Sequence, residues 1–398
     1  MEVISAVSQL NNTKDAVQAL FAELKRHQLP TSLLVYYTQD YSPAELWREL
    51  HHVFNHTSIL GCSSCKGVMT EKGFFESPVI AVLAIYDKGN NAYGSGLASF
   101  NDHTSIFSAV EQCIDDALLN ANRVGEVPNM AILHSTPGYE EDVISAIDNK
   151  FGTRVPIIGG SAADTAIAKN WSVLTEKGIT QSGIAIQLQF PNASVITEFS
   201  AGYSPTECVG LVTQSQGRLL QEIDGEPAKD LYKDWISDHS NIQISDEFMF
   251  QHVTRFPLGR IVTDCDGQPY YRLTHPIRIT EEGELELFAN MEKGEEVTLM
   301  TGSHEQLITR AARTIRETEA RNHSASSKHG AIIIFCAGAM LRLGADMPNV
   351  QAQIKTELNG YPFICPFTFG EQGRFPDGAN AHGNLMIASA IYYDREGA

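Results

Sequence analysis

Short apolar runs with the composition of buried β-strands alternate with segments that carry helix-start signals. This alternation is the feature that most limits the fold. Residues 32–37 (SLLVYY) form one such run, and Ser42-Pro43-Ala44-Glu45 then supplies a capping box with proline at the first helical position. Residues 130–134 form another apolar run, and a helix with an acidic first turn is predicted over 139–149. Such a chain packs mixed β-sheets against helices, which predicts the α/β class.

The pattern shifts toward β-strand after about residue 200. Residues 278–280, 285–289 and 296–301 alternate apolar and polar side chains, with glycine-containing turns between them. Ser303-His304-Glu305-Gln306 is a second capping box and starts another helix. A chain of 398 residues is long enough for two cores of ordinary size. We therefore predict two α/β domains of mixed sheets flanked by helices, residues 1–200 and 201–398, the second more β-rich.

The charge balance restricts the partners. Lys and Arg number 29 and Asp and Glu number 48, which gives a net charge of −19. A surface this acidic repels phosphate backbones and anionic lipids, so nucleic-acid binding and membrane-surface binding are not expected. The longest apolar run, residues 331–341, is too short for the roughly 20 residues of a membrane helix, so no membrane insertion is expected.

The cysteine content and the N-terminus indicate the compartment. Seven cysteines are an odd number in a long chain, which is typical of free thiols in a reducing compartment rather than of a disulfide framework. The first residues, MEVISAVSQLNNTKD, lack the basic and apolar regions of a signal peptide. We expect a cytoplasmic protein.

Three stretches of small residues follow apolar runs, and they are the main candidates for a ligand site. In chain order they are Gly61-Cys62-Ser63-Ser64, Gly159-Gly160-Ser161-Ala162 and Cys336-Ala337-Gly338. In α/β sheets the ligand crevice lies beyond the carboxyl ends of the strands, and small residues there let backbone N–H groups approach a ligand. Each stretch alone is better explained as a tight turn that packing requires. The three together favour a binding crevice.

Other residues could add polar contacts to such a crevice. Glu371, after Gly370, could bind a ligand amine or accept backbone N–H groups in its turn. Asp164 could likewise bind a ligand amine or accept backbone N–H groups, and a role as a helix N-cap is favoured for it. His134 ends an apolar run and could bind haem iron or a ligand carboxylate, or simply cap a turn.

Cys62 and Cys65 form a Cys-x-x-Cys pair. Three interpretations of this pair remain open: buried structural thiols, a redox pair activated by a helix N-terminus, and half of a metal site. The structural interpretation is favoured. A zinc site needs four ligands, and the sequence has no second Cys-x-x-Cys. Nucleotide-loop, nucleophile-elbow and metalloprotease motifs are also missing from the sequence, so we do not expect an enzyme.

Five short motifs, in this order, resemble those of the FIST domains, and together they cover nearly the whole chain. They are Gly61-Cys62-Ser63-Ser64, Ile157-Ile158-Gly159-Gly160-Ser161-Ala162-Ala163-Asp164, Glu222-Ile223-Asp224-Gly225-Glu226-Pro227-Ala228, Ile334-Phe335-Cys336-Ala337-Gly338 and Phe367-Thr368-Phe369-Gly370-Glu371. The resemblance implies an N-terminal FIST part to about residue 200 and then a C-terminal FIST part. It also implies a bacterial sensory protein that binds a small ligand.

The resemblance further implies a partner and suggests a cofactor. FIST proteins are fused to, or encoded beside, histidine kinases and cyclic-di-GMP enzymes, and this sequence resembles the stand-alone members, which act on a separate partner. The ligand would be amino-acid-like, or haem with nitric oxide as the signal, as in the NosP type, with His134 as the haem ligand. Cys65 stands where many members have a small residue, which keeps the redox alternative open. Ala339-Met340 stands where an arginine is common, so a ligand contact by that arginine is not expected here.

Overall fold

A computed structural model describes residues 1–25, 28–101, 104–152, 155–240, 242–245, 250–265, 268–322 and 326–395. It confirms the predicted α/β class: two mixed sheets and one antiparallel sheet are flanked by helices. Up to residue 200 the elements are β1 (Glu2–Ser8), α1 (Thr13–Leu24), β2 (Ser32–Tyr37), α2 (Pro43–Val53), β3 (Ser58–Ser63), β4 (Gly67–Thr70), β5 (Gly73–Glu76), β6 (Ile80–Tyr86), β7 (Ala92–Ser99), α3 (Ile106–Asn120), β8 (Met130–Ser135), α4 (Glu140–Phe151), β9 (Ile157–Ser161), β10 (Val173–Thr175), β11 (Gly178–Thr180), β12 (Gly183–Phe190) and β13 (Ala193–Ser200).

Beyond residue 200 strands predominate until α7, and strands and helices alternate again after it. The elements are β14 (Ser204–Gln216), β15 (Leu219–Ile223), β16 (Glu226–Pro227), α5 (Ala228–Ser240), α6 (Phe250–Val253), β17 (Leu258–Cys265), β18 (Gln268–Thr274), β19 (Pro276–Ile279), β20 (Leu285–Leu287), β21 (Glu296–Thr301), α7 (His304–Ala320), β22 (Lys328–Cys336), α8 (Ala337–Leu343), α9 (Met347–Glu357), β23 (Phe363–Arg374), β24 (Asn380–Gly383) and β25 (Ile387–Asp394).

The first sheet has the strand order β1-β6-β2-β3-β10-β11. Its strand β2 is buried on both faces, as its continuous apolar sequence requires. Leu33 and Val35 face the core formed with α1 and α2, whereas Leu34 and Tyr36 face the core shared with the next sheet. This alternation follows from the two-residue period of a strand.

The central sheet has eleven strands and joins the two halves of the chain. Its main path is β13-β25-β22-β23-β9-β8-β12-β7; β4 and β24 attach beside β23, and β5 attaches to β4. The halves are joined by the antiparallel pairs β13–β25, β4–β23 and β9–β23, and in the last of these Ser161 lies opposite Phe369 and Gly160 opposite Glu371. The motif Gly159-Gly160-Ser161 of the first half therefore pairs directly with the motif that contains Glu371.

A third sheet of eight strands, all between residues 204 and 301, has the main path β18-β17-β21-β14-β15-β20-β19. Helix α5 supplies Tyr232 and Ile236 to its core. The predicted shift toward β-strand thus corresponds to a separate antiparallel sheet.

Two predicted strand ends differ from the structure. The sequence places the ends of two strands at Leu60 and Ile158, but β3 continues to Ser63 and β9 continues to Ser161. Their partners continue as well: Tyr37 pairs with Ser63, and Phe369 pairs with Ser161. Most residues of the two predicted loops are therefore strand residues.

The two predicted capping boxes have different outcomes. Ser303 and Gln306 form the reciprocal hydrogen bonds of a capping box at the start of α7. Helix α2 begins at Pro43 as predicted, but Ser42 makes no side-chain capping hydrogen bond, so the box predicted there does not form. Among the helices described, none is both long enough and apolar enough to cross a bilayer.

Candidate functional site

A small cavity of about 30 Å³ lies where the third sheet meets the central sheet. We call it the junction cavity. His275 and Phe288 border it from the third sheet, Cys336 and Gly370 border it from the central sheet, and Ile167 covers it from the loop before β10. Such a space holds about two water molecules at most. Any larger ligand therefore requires part of the wall to move.

Asn384, just after β24, brings an unsatisfied polar atom to this cavity. Its residue is only 4% exposed, and its Nδ2 lies 3.5 Å from His382 Nε2. Its Oδ1 is buried and has no hydrogen-bond partner. A buried acceptor without a partner costs about 1–3 kcal/mol, so its position beside a cavity points to a ligand or a water molecule.

Glu371 lies behind Cys336 in a fully buried position. Burial raises the pKa of its carboxyl to about 8, although the Met386 N–H, at 3.1 Å, and Arg310 favour the charged form. Burial also raises the pKa of the Cys336 thiol, which hydrogen bonds to Glu371. Both side chains are therefore protonated at neutral pH.

Arg310 is the fully buried cation of this region, and it is held by backbone oxygens. Its guanidinium donates to Leu385 O at 2.7 Å, Met386 O at 2.9 Å and Ala201 O at 3.2 Å. Its aliphatic stem packs where a side chain at Gly202 would lie. These bonds tie α7 to the segment that follows Asn384 and so fix one wall of the junction cavity.

Gly370 separates the junction cavity from a second polar cluster. Its φ of +57° belongs to the left-handed region, and a Cβ there would lie 2.6 Å from His382 Nε2. Both the backbone conformation and the lack of space for a Cβ therefore require glycine at this position.

The second cluster consists of Glu140, Glu141, His382 and Arg218, and it links α4, β24 and the third sheet. Arg218 donates to Glu140 at 2.7 Å and to Glu141 at 3.2 Å, and His382 Nδ1 lies 3.0 Å from Glu141 Oε1. Burial acts to raise the pKa of Glu141, but His382, Arg218 and the Asn290 N–H outweigh it and lower that pKa well below its usual range.

Glu140, Glu141 and His382 could hold a metal ion, since one ligand atom of each lies within 4.8 Å of the others. Arg218 already supplies the positive charge at this place. The arrangement therefore works as an ion-pair network that fastens the third sheet to the central sheet.

The first predicted stretch, Gly61-Cys62-Ser63-Ser64, is buried and does not line the junction cavity. Ser63 Oγ accepts the Ser172 N–H at 3.1 Å, and Ser64 Oγ accepts the Phe367 N–H at 2.9 Å. A Cβ at Gly61 would lie 2.2 Å from Val35 O. Here the small residues allow close packing of backbone on backbone.

The second stretch, Gly159-Gly160-Ser161-Ala162, behaves in the same way. A Cβ at Gly159 would lie 1.9 Å from Leu133 O, and one at Gly160 would lie 2.2 Å from Thr368 Oγ1. Ser161 Oγ donates to Glu140 Oε1 at 2.7 Å, which connects this stretch to the ion-pair network.

Asp164 shapes the loop that covers the junction cavity. Its carboxylate accepts the N–H groups of Ala166 at 3.2 Å, Ala168 at 2.8 Å and Asn170 at 2.9 Å. The favoured prediction, a helix N-cap, is wrong, because residues 162–172 contain no helix. Asp164 instead holds Ile167 in position.

His134 is fully buried between the first and central sheets. Its Nε2 lies 3.0 Å from Tyr36 Oη and its Nδ1 lies 2.9 Å from Gly160 O. Burial lowers its pKa to about 4, so the ring is neutral. In this arrangement both ring nitrogens are occupied, and His134 does not fit as a haem ligand.

Cys62 and Cys65 are free, buried thiols. Burial raises the pKa of Cys62 well above its usual value and that of Cys65 to about 12, so neither is a thiolate at neutral pH. This favours the structural interpretation over a redox pair or half of a metal site.

The structure therefore brings Cys336 and Gly370 to the junction cavity, with Glu371 behind them and Asp164 supporting its cover. The motifs of the sequence do not include Asn384, Phe288, Ile167, His275 or His382. The one available signal was the polar sequence Asn380-Ala381-His382-Gly383-Asn384 between two apolar strands.

Larger depressions lie on the described surface. One, of about 410 Å³, runs between α7 and α9 beside Arg313 and Arg316. Another, of about 530 Å³, lies beside the acidic turn at Glu281 and Glu282. Neither contains a residue that the sequence analysis proposed for ligand binding.

Comparisons with known proteins identify both halves. Residues 31–226 match the FIST N domain and residues 228–374 match the FIST C domain. An uncharacterized protein of Methanocaldococcus jannaschii is 19% identical over 298 residues, which are 73% of this chain and 55% of that protein. The chain thus spans about half the length of this curated relative.

A crystal structure of a cyanuric acid hydrolase from A. caulinodans shows a weak likeness. It has 12% identity and a TM-score of 0.29 and covers 61% of this chain and 86% of that one. A likeness this low carries no argument about fold or function.

The two domain matches meet between residues 226 and 228, whereas we propose the division near residue 200, where the chain leaves the central sheet for the third.

Proposed function

The chain belongs to the FIST family, whose domains generally bind small ligands in sensory signalling, and we propose that it senses a small molecule in the junction cavity and regulates a separate signalling protein. Binding, rather than bond making, is the proposed activity. The partner that we propose is a histidine kinase or a cyclic-di-GMP enzyme, as the family resemblance implies.

The observation that carries this proposal is the unpartnered Asn384 Oδ1 at a cavity that six separate segments build. Besides Asn384, they contribute Ile167, His275, Phe288, Cys336 with Gly338, and Phe369 with Gly370. Cys336 and Gly370 belong to the motifs from which a ligand site was expected.

The position of the junction cavity provides a way to transmit binding. A ligand there contacts the third sheet on one side and the central sheet on the other, so it favours one spacing of the two sheets over another. The Arg218–Glu141 ion pair and the Asn290 N–H, 3.0 Å from Glu141, join the sheets nearby. We propose that the partner reads this change in spacing.

A cytoplasmic location is part of the proposal. The six cysteines whose side chains are described are all free, which suits a reducing compartment. The acidic composition supports a partner other than nucleic acid or an anionic membrane.

The alternatives receive less support. Haem bound by His134 would have to break both hydrogen bonds of that ring. A redox role for Cys62 and Cys65 would need thiolates, which burial disfavours. An amino-acid-like ligand would need charged partners. Among the described residues, no Asp, Glu, Lys or Arg side chain borders the junction cavity, and burial lowers the pKa of the bordering His275 to about 4, so its ring is neutral.

A ligand screen tests the proposal. Small molecules are screened for thermal stabilisation of the full chain, and each stabilising compound is titrated by calorimetry into wild type, Asn384→Ala and Asn349→Ala. Asn349 is exposed on α9 and serves as the matched control. We expect Asn384→Ala to weaken binding at least about tenfold, because a buried hydrogen bond is lost, and Asn349→Ala to leave it unchanged. The proposal is wrong if no compound stabilises the protein, or if Asn384→Ala binds the stabilising compounds as tightly as wild type does.

A further inference from the structure

The walls of the junction cavity carry no formal charge at neutral pH. Its polar wall residues are His275, Cys336 and Asn384. Burial lowers the pKa of His275 to about 4 and raises that of the Cys336 thiol, so both are uncharged. The acid behind them, Glu371, is protonated as well.

The nearest buried cation, Arg310, does not line the cavity, and its guanidinium is already held by three backbone oxygens. A charged ligand would therefore lose its hydration without contacting a counter-charge. Moving an unpaired ion into such a site costs several kcal/mol, whereas an uncharged polar group loses little when it finds a hydrogen-bond partner. The lining thus selects against amino-acid zwitterions, carboxylates and phosphates.

Two aromatic rings, one from each sheet, border the space. Phe288 comes from the third sheet, and its centroid lies 4.6 Å from that of His275. Phe369 comes from the central sheet and contacts Trp171 edge-to-face at 6.3 Å. Aromatic rings pack well against other flat groups, stacked or edge-on, so these walls suit a flat ligand.

Asn384 Oδ1 is the polar feature that a ligand can satisfy. Other buried amide atoms also lack partners, among them those of Gln372 and Asn380, but these residues do not border the cavity. A ligand N–H placed against Asn384 Oδ1 would restore the missing hydrogen bond.

Ile167 is the part of the wall best suited to move. It has a φ of +54°, which is strained for a β-branched residue, and its side chain is half exposed. Asp164 accepts the N–H groups of Ala166 and Ala168, on either side of Ile167, so the loop backbone is held and the side chain of Ile167 is the part that moves. Displacing this half-exposed side chain exposes little buried surface.

We propose that the junction cavity binds an uncharged, flat ligand of the amide or lactam class, which displaces Ile167 and donates an N–H to Asn384 Oδ1. This inference rests on the proposed function and adds to it the chemical class of the ligand.

Three probes of nearly equal shape test the class. Benzamide is neutral and has an N–H donor, benzoate is an anion without a donor, and benzamidinium is a cation. We expect benzamide to bind the full chain with a dissociation constant of about millimolar, as its few atoms allow, and the two ions to bind at least tenfold more weakly. Calorimetry or ligand-observed NMR measures all three.

A substitution at the key amide tests the contact. Asn384→Asp keeps the acceptor and adds an acid, so benzamidinium should gain at least tenfold relative to benzamide. Asn349→Asp makes the same charge change on the exposed surface of α9 and should leave the ratio unchanged. Circular dichroism checks that both variants are folded. Asn384→Ala, which only removes the acceptor, tests the same contact a second time and should weaken benzamide binding.

A third comparison tests the entry route. Lys169 has a φ of +64° in the same loop but does not border the cavity, so Lys169→Gly is the control for Ile167→Gly. We expect Ile167→Gly to raise the benzamide association rate several-fold and Lys169→Gly to leave it unchanged. The fluorescence of Trp171, next to Phe369, reports the rate in stopped flow.

The outcomes separate this inference from the proposed function. Benzoate or benzamidinium binding wild type as tightly as benzamide, or no benzamide binding at millimolar concentration, overturns the ligand class. If other screened compounds still bind through Asn384, the proposed function survives that result. An unchanged association rate in Ile167→Gly overturns the entry route.

Discussion

The small-residue motifs of the first half and the walls of the junction cavity differ in how their polar side chains are hydrogen-bonded. In Gly61-Cys62-Ser63-Ser64 and Gly159-Gly160-Ser161 the serine hydroxyls are satisfied within the protein, and the glycines contact neighbouring strands. At the junction cavity, Asn384 keeps a buried acceptor without a partner. Small residues after a strand therefore indicate close backbone packing, and an unsatisfied polar atom beside a cavity is what distinguishes a binding site.

The largest expected effect concerns the closely packed glycines. Gly159→Ala places a Cβ 1.9 Å from the backbone oxygen of Leu133, which cannot move without disturbing the central sheet. We expect a loss of more than about 4 kcal/mol in the free energy of unfolding, or no folded protein. Gly178→Ala is the control, because its Cβ meets only the end of Leu97 at 3.2 Å. Similar melting temperatures for the two variants would contradict the packing interpretation.

A pH-dependent effect is expected behind the junction cavity. The pKa of Glu371 rises from 4.5 to about 8 on folding, so the native state holds an extra proton between these values and wild-type stability falls as the pH rises through this window. Glu371→Gln imitates the protonated acid and lacks this loss. We expect it to match wild type near pH 4 and to exceed it by about 4 kcal/mol at pH 8, with a limiting slope of about 1.4 kcal/mol per pH unit.

Urea unfolding at several pH values measures the Glu371 effect. Glu207→Gln makes the same charge change at an exposed position on β14 and is the control. A Glu371→Gln difference that does not change with pH would mean that Glu371 is ionised in the folded protein.

A smaller effect is expected at His134, in the closed region between the first and central sheets. His134→Ala leaves Tyr36 Oη and Gly160 O without their partner and should cost about 2 kcal/mol, whereas the exposed His56→Ala should cost little. Binding at the junction cavity should not change. Protein produced with a haem precursor should show no Soret band that depends on His134, and such a band would support the haem alternative.

The smallest effect is expected at the Cys-x-x-Cys pair. Cys62 and Cys65 are buried, whereas Cys208 is half-buried, so alkylation of the native protein should label Cys208 first and the pair only after unfolding. Peptide mapping by mass spectrometry measures each site. Labelling of Cys62 or Cys65 at the rate of Cys208, or a disulfide between them after mild oxidation, would revive the redox hypothesis.

The sequence predicts local elements well where burial decides them. Residues 32–37 form the predicted strand because the run is apolar on both faces, and α7 starts at its predicted capping box because both partners are local. The strand ends after Leu60 and Ile158 were placed too early, because ladder partners far along the chain extend both strands.

The site was only partly predictable. Cys336 and Gly370 follow from the motif pattern, but Asn384 and Phe288 meet only because the third sheet lies against the central one. No periodicity or spacing encodes that contact. A buried amide without a partner is likewise a property of the folded chain, not of its sequence.

The most direct test of the ligand site is hydrogen exchange on the full chain, with and without the compound that stabilises it most in the screen. We expect exchange to slow in residues 165–170 and 287–291, which contain the cavity-lining Ile167 and Phe288, and to stay unchanged in residues 58–64. Slower exchange confined to residues 58–64, or anywhere away from the junction of the third and central sheets, would contradict the account.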